Sequence, residues 1–454
     1  MFKFLILGLV LILPNVLSEK VRYDNYALYK VFPKNAEQIK LLQNLRENDP
    51  RYDFWTEPAA SAKYVNILTS PGDKINLKSY QCHITVQSIR QLIILEYLIN
   101  VYRAIDKETV HTYTRSNLKS MLWTGYYRME DINAWIDDLE QRYPNLVTIL
   151  IGGTTFEGRE IKGFKISHGE GRKAIFLEGG IHSREWISPA TVNYIANELL
   201  TSDNAETRAA ATDFDWYIFP VTNPDGYIFS HKENLNFGFY FRTSYLPWER
   251  PCPTLDIGND DKIHFNETMT FLSTAEGASV DPARDDYAGL GPFSEPESRT
   301  LATFIESIGD KIDMYLSFHS YSQMLLLPFG NTTEPLMNIG IRAMGALSVR
   351  YGTQYRTGNI AETIYRATGG SIDWVKERLK VPLVYCYELR DNGTYGFQLP
   401  ADQILPNNLE VMDSILELIF QARRFGYLIP AASSGYGVNA SVALIVMAVL
   451  AKFL

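Results

Sequence analysis

His182 and Glu185, three residues apart in AIFLEGGIHSREWISP, are a neutral imidazole and a carboxylate that can reach one metal ion. Two such ligands leave room for a third protein ligand and a water, which is the open zinc site of the two-His, one-carboxylate kind that performs Lewis-acid hydrolysis. The same H-x-x-E spacing also arises in surface ion pairs and hydrogen-bonded loops, so the chemistry requires a second histidine from elsewhere. His319, next to last in the stretch DMYLSFHS, supplies the candidate. A further carboxylate, Glu388, interrupts the apolar run VPLVYCYEL. An ionised carboxylate buried without a partner costs several kcal/mol, so Glu388 needs either a functional role or a structural partner, Arg390 being the nearest.

The elements around these residues are strands whose ends can present them. Residues 174–178 form a short apolar run closed by Gly179 and Gly180, which places His182 in the loop beyond a buried strand. Open α/β sheets hold their sites at that end. Further strands are expected at 147–151, 161–166, 216–220, 313–320 and 381–389, with helices at 129–143, where Pro144 stops the helical periodicity, and at 189–200. Strands alternating with helices, with some direct strand-to-strand steps, give an α/β fold around a mixed sheet. Upstream, a strand at 26–32, a helix at 36–45, a strand at 64–68 and mixed signals over 84–98 read as a small α+β module. The polar stretch 100–120, with Arg115 and Lys119, reads as an exposed, cleavable connector.

A chain of 454 residues with 46% hydrophobic and 21% charged residues has ample material for a large core and the balance of a globular protein. The charge, 43 − 52 = −9, with no basic block, argues against nucleic-acid binding. Lys3 followed by the apolar run 4–13 and small Ser18 form a cleavable secretory signal over residues 1–18. Sequons at Asn266, Asn331 and Asn392 fit that route. Cys82, Cys252 and Cys386 are too few and scattered for a disulfide framework. Residues 431–454 pass from Ser433, Ser434 and Gly435 to an apolar run at 442–451. They read as a lipid-anchor attachment signal, with a C-terminal helix as the alternative.

Beyond these features, the motifs IGGTTFEGREIKGFKIS, EGGIHSREWISPATV, VTNPDGYIFSH, FSEPE, LSFHSYSQMLLLPFG, TIYRATGGSIDW and YELRDNGTYGFQLPADQILP, preceded by VRYDNY and YDFWTEP, follow one another in order. On these the chain resembles the secreted zinc metallocarboxypeptidases of the pancreatic A/B type, from about Val21 to Gln421. The resemblance implies a mixed eight-stranded sheet flanked by helices (116–430), preceded by a small α+β inhibitory pro-domain (19–115) that an endoprotease removes near Arg115. It implies one Zn²⁺ per chain held by His182, Glu185 and His319, with Glu388 as general base and Tyr365 as the closing tyrosine. Arg184 and Tyr321 fall on outer substrate positions, while Ile372 and nearby Ile360 form an apolar floor for the terminal side chain. The implied activity is the removal of apolar or aromatic residues from peptide and protein C-termini by a secreted or surface-tethered monomer.

Two stretches depart from the family pattern. Ungapped counting puts Lys262 and Ile263 where the family's Asn-Arg pair clamps the terminal carboxylate, and a point charge does not reproduce a bidentate guanidinium. The arginine that polarises the scissile carbonyl matches Gly238 without a gap and Arg242 with a small shift. The alternative to an active enzyme is therefore a zinc-binding protein with impaired exopeptidase activity that engages peptides or partners.

Overall fold

The computed structural model describes residues 27–49, 52–54, 58, 64–69, 93–97, 121–232, 293–328, 334–364 and 370–428. The signal segment 1–18, the connector with Arg115, the tail 431–454, Cys82, Cys252, Asn266 and Asn331 lie outside these residues. Among the described residues no helix is long and apolar enough to cross a membrane.

The N-terminal unit has the expected α+β composition. Strands β1 (Ala27–Phe32), β2 (Tyr52–Phe54), β3 (Val65–Thr69) and β4 (Ile93–Tyr97) form a sheet in the order β2-β3-β1-β4, every pairing antiparallel. Helix α1 (Ala36–Asn48) starts where Asn35 accepts a hydrogen bond from the Gln38 backbone N–H, satisfying a donor the first turn leaves unpaired. Alternate strand residues Tyr29, Val31, Val65 and Ile67 meet Leu42 and Leu45 of α1 in a small core.

The larger unit carries an eight-stranded mixed sheet. Its strands are β5 (Val147–Thr154), β6 (Glu160–Ile166), β7 (Ala174–Gly179), β8 (Asp215–Phe219), β9 (Ile312–Ser320), β10 (Met324–Leu327), β11 (Arg356–Asn359) and β12 (Leu383–Leu389). Their order is β11-β10-β12-β9-β7-β8-β6-β5, and the central four, β12, β9, β7 and β8, are parallel. Strands covered on both faces read as continuous apolar runs, which is why β7 and β8 are buried at every position.

Side-chain alternation divides the core into two layers. Ile175, Leu177, Leu316, Phe318, Tyr385 and Tyr387 face helices α2 (Met129–Arg142), α3 (Ile187–Thr201), α7 (Glu334–Tyr351) and α10 (Ile404–Arg424). Phe176, Tyr315, Leu326 and Cys386 face α6 (Pro296–Ile308) and α9 (Ser371–Arg378) on the other side. Cys386 is thus a packing residue, as its apolar strand suggests. Among the described residues the other α-helices are α4 (Ala205–Asp213), α5 (Pro224–Lys232) and the single turn α8 (Ile360–Thr363).

Boundaries moved in two informative places. Helix α3 begins at Ile187, two residues before the expected Pro189. A proline is tolerated there because the first four backbone N–H groups of a helix have no intrahelical partner to lose. Strand β5 continues to Thr154 through a register shift between Ile151 and Gly153, which lets it run past the apolar segment that marks it in sequence.

Candidate metal centre

Parallel neighbours share a direction, so the C-terminal ends of β7, β9 and β12 lie along one edge of the sheet. His182 follows β7, His319 is the penultimate residue of β9, and Glu388 is the penultimate residue of β12. The register pairs Gly179 with Phe318 and Glu388 with His319. Adjacent strands are about 4.8 Å apart, so residues far separated in sequence reach one point.

The loop from β7 to α3 is held to that edge. Gly180 has φ +63°, and a Cβ there would lie 3.0 Å from Pro189 and 3.1 Å from Val221, so the turn requires glycine. Ser188 Oγ accepts from the Gly180 N–H at 3.0 Å and donates to the Phe318 carbonyl at 2.5 Å, tying the loop to β9. The Glu185 N–H donates to the His182 carbonyl at 3.2 Å, a turn that brings the two side chains to one side.

His182 Nδ1 lies 2.9 Å from Glu185 Oε1 and 3.0 Å from His319 Nδ1, and His319 Nδ1 lies 3.2 Å from Glu185 Oε2. One ligand atom from each residue fits within 4.8 Å of the others, and the three could hold one metal ion. Two imidazole nitrogens and a carboxylate are the donor types zinc prefers. Glu185 Oε2 is buried and lacks hydrogen-bond geometry to any described partner, which a cation at this point would answer. Burial alone would raise the Glu185 carboxyl pKa, yet the two imidazoles outweigh it and hold the carboxyl below its ordinary range. For His319, burial and the neighbouring His182 oppose protonation, but Glu185 and Glu388 hold the imidazole above its usual value. Protons therefore compete with metal at this site.

Glu388 is half-buried. Its proposed structural partner Arg390 is instead engaged bidentately by Glu410, Nε to Oε1 at 2.7 Å and Nη2 to Oε2 at 2.5 Å. The substrate candidates Arg184 and Tyr321 meet at Phe397, a residue sequence reasoning did not single out. The guanidinium lies 4.0 Å from the Phe397 ring centroid, and the Tyr321 ring crosses the Phe397 ring edge-on at 4.9 Å. Arg184 Nη1 is buried with no hydrogen-bond partner among the described residues. From the N-terminal unit, Asn66 Nδ2 donates to Tyr321 Oη at 3.0 Å and Lys30 Nζ to the Gly393 carbonyl at 2.7 Å. Ile372 is buried and Ile360 half-buried in the same apolar layer. Tyr365, Arg242 and Lys262 lie outside the described residues.

Two further residues stand behind the ligands without having been singled out, Ser317 and Glu178. The signal for Glu178 is of the kind that marks Glu388, a carboxylate closing an apolar strand.

The wall beside Glu185 contains a buried histidine. His231 stacks on Trp186 at 4.0 Å between centroids and 11° between planes, its Nδ1 lies 2.9 Å from the Tyr227 carbonyl, and its Nε2 has no hydrogen-bond partner among the described residues. Burial lowers its pKa to about 3 from 6.5. A depressed folded-state pKa means that the unfolded chain takes the proton first on acidification, so this stability is complete above pH 6.5 and is lost as pH falls toward 3. Between pH 7 and 5 the loss is about 2 kcal/mol. Denaturant unfolding of wild type and His231→Phe at both pH values checks this: the wild type is expected to lose about 2 kcal/mol more than the variant, and equal losses would refute it.

Residues 132–414 match the family model described as zinc carboxypeptidase, and residues 29–87 match that described as carboxypeptidase activation peptide. The chain is 37% identical to zinc carboxypeptidase A 1 of Anopheles gambiae over 90% of this chain and 92% of that protein. It is 42% identical to a zinc carboxypeptidase of Simulium vittatum over 66% of this chain and 98% of that protein. Among solved structures, thrombin activatable fibrinolysis inhibitor superposes with a TM-score of 0.72 at 26% identity, covering 87% of this chain and 98% of that one.

Proposed function

The chain belongs to the zinc carboxypeptidase family and carries an activation peptide, and from that premise we propose that it is a secreted zymogen whose mature form removes apolar or aromatic residues from peptide C-termini. The observation that carries this reading is the convergence of His182, Glu185 and His319 on one point with Glu388 opposite His319. Bound by those three side chains, Zn²⁺ supplies Lewis-acid chemistry, polarising a carbonyl and making water more acidic.

The chain's own residues do the rest. Glu388 accepts a proton from the attacking water and returns one to the leaving amine. Ile372 and Ile360 receive the terminal side chain, and their apolar layer favours aromatic and aliphatic residues over charged ones. Arg184 and Tyr321 hold the peptide upstream of the scissile bond, and Tyr365 closes over it. Arg242 supports the developing oxyanion, and Lys262 attracts the terminal carboxylate as a point charge. The contact of Asn66 with Tyr321, and of Lys30 with Gly393, supports a latent state in which residues 19–115 cover the substrate side of the cleft. Cleavage near Arg115 then separates them from the catalytic unit at 116–430.

The test uses the activated protein with a peptide ending in Phe, its C-terminally amidated twin and a peptide ending in Arg. The free acid is expected to be cleaved in preference to the amide, and terminal Phe over Arg by at least about 10²-fold, because an apolar pocket leaves a guanidinium unpaired. Equal cleavage of acid and amide would overturn exopeptidase recognition. Silence toward all three, with one zinc bound, would overturn catalysis by this chain.

A further inference from the structure

Beneath the metal centre lies a carboxylate that none of the roles above uses. Glu178, the fifth residue of β7, is fully buried, and the sheet register sets it beside Ser317 of β9. Ser317 and His319 are two apart on the same strand and therefore lie on the same face. Ser317 Oγ donates to Glu178 Oε1 at 2.5 Å and sits 2.8 Å from His319 Nε2. Tyr315 Oη and Ser371 Oγ also donate to Glu178 Oε1, at 3.3 Å and 3.4 Å. Three hydroxyls thus point at one carboxylate oxygen.

We propose that Glu178 is a positioning residue for the metal centre, acting through Ser317 to fix His319 as the Nε2–H tautomer with a bare Nδ1 facing Glu185 and His182. A serine hydroxyl has one hydrogen. With that hydrogen given to Glu178, Ser317 can only accept from the imidazole, so the proton of neutral His319 belongs on Nε2. The lone pair of Nδ1 is then directed to the side where Glu185 Oε2 lies at 3.2 Å without a hydrogen bond, the arrangement a ligand nitrogen needs. Partners of this kind set the orientation and basicity of metal-bound imidazoles, and losing one typically lowers metal affinity about 10–100-fold. Because Ser371 precedes Ile372, the same carboxylate also ties the metal ligand to the floor of the proposed pocket.

The inference rests on the zinc reading of the site, and the test separates the two. Zinc affinity of the full chain is measured by chelator competition for wild type, Glu178→Gln, Ser317→Ala, Ser317→Thr and the Glu178→Gln/Ser317→Ala double variant. The imidazole nitrogen shifts of His319 are read in the metal-free protein. Expected are a loss of about 10–100-fold in each of Glu178→Gln and Ser317→Ala, recovery in Ser317→Thr, and a double variant no weaker than Ser317→Ala. The Nε2–H signature is expected in wild type and Ser317→Thr and absent in Ser317→Ala. General damage to the fold would not move the tautomer selectively or be rescued by a hydroxyl. Wild-type affinity in Ser317→Ala, or losses that multiply in the double variant, would overturn the relay. Should Glu178→Gln fail to fold, the Ser317 pair decides alone. A wild-type chain that takes up no zinc would overturn the metal reading itself.

Discussion

Glu388→Gln is expected to lower kcat by about 10²–10⁴-fold while zinc uptake stays at one per chain. Glutamine keeps the shape of the side chain but cannot accept a proton at neutral pH, so the variant removes proton transfer and little else. The effect is expected in the chemistry rather than in metal binding because Glu388, on β12, is outside the group of His182 and Glu185 after β7 and His319 in β9 that could hold the ion. Its α-carbon partner is His319, and its carboxylate is among the charges that favour protonation of that imidazole. Steady-state kinetics of the activated variant, with metal content measured in the same preparation, check the claim. A kcat within threefold of wild type would exclude Glu388 as the general base.

Glu410→Ala is expected to lower the free energy of unfolding by about 3–5 kcal/mol. Glu410 on α10 is fully buried and receives both arms of the Arg390 guanidinium, as well as Thr353 Oγ1 at 2.7 Å. Burial opposes the charge on Arg390, but the hydrogen bonds it donates to Glu410 outweigh that and hold the guanidinium pKa above its ordinary value. Removing the carboxylate leaves a cation whose side chain is only 12% exposed without its counter-charge. Breaking such a pair costs far more than replacing it whole, so Glu410→Ala combined with Arg390→Met is expected to regain most of the loss. Denaturant unfolding of the two variants decides it. A single-variant loss below about 1 kcal/mol would show that water readily reaches the guanidinium.

The parts of this architecture that were legible in the sequence are those where a periodic apolar run stops at a polar side chain. His182, His319 and Glu388 each stand at such a stop, and the structure places them on one edge because their strands run parallel. The sheet was legible as mixed, since β5 and β6 follow one another without a helix between them. What pattern could not supply was the identity of partners across long separations. Arg390 lies two residues from Glu388, yet it binds Glu410 on a later helix. Arg184 and Tyr321 meet only because Phe397 lies between them. Glu178 carries no separate mark in the sequence, because it ends the apolar run just before the glycines and the histidine. The relay it forms depends on the register of β7 against β9, which no spacing within either strand encodes.

That register has a mechanical corollary. Zinc held by His182, Glu185 and His319 would add a further clamp between the loop after β7 and the end of β9, which strand pairing and Ser188 already join. The ion then behaves as a reversible clasp whose strength follows the free zinc concentration. Melting temperature should climb with that concentration and slump under chelation, making the durability of the molecule a readout of its surroundings.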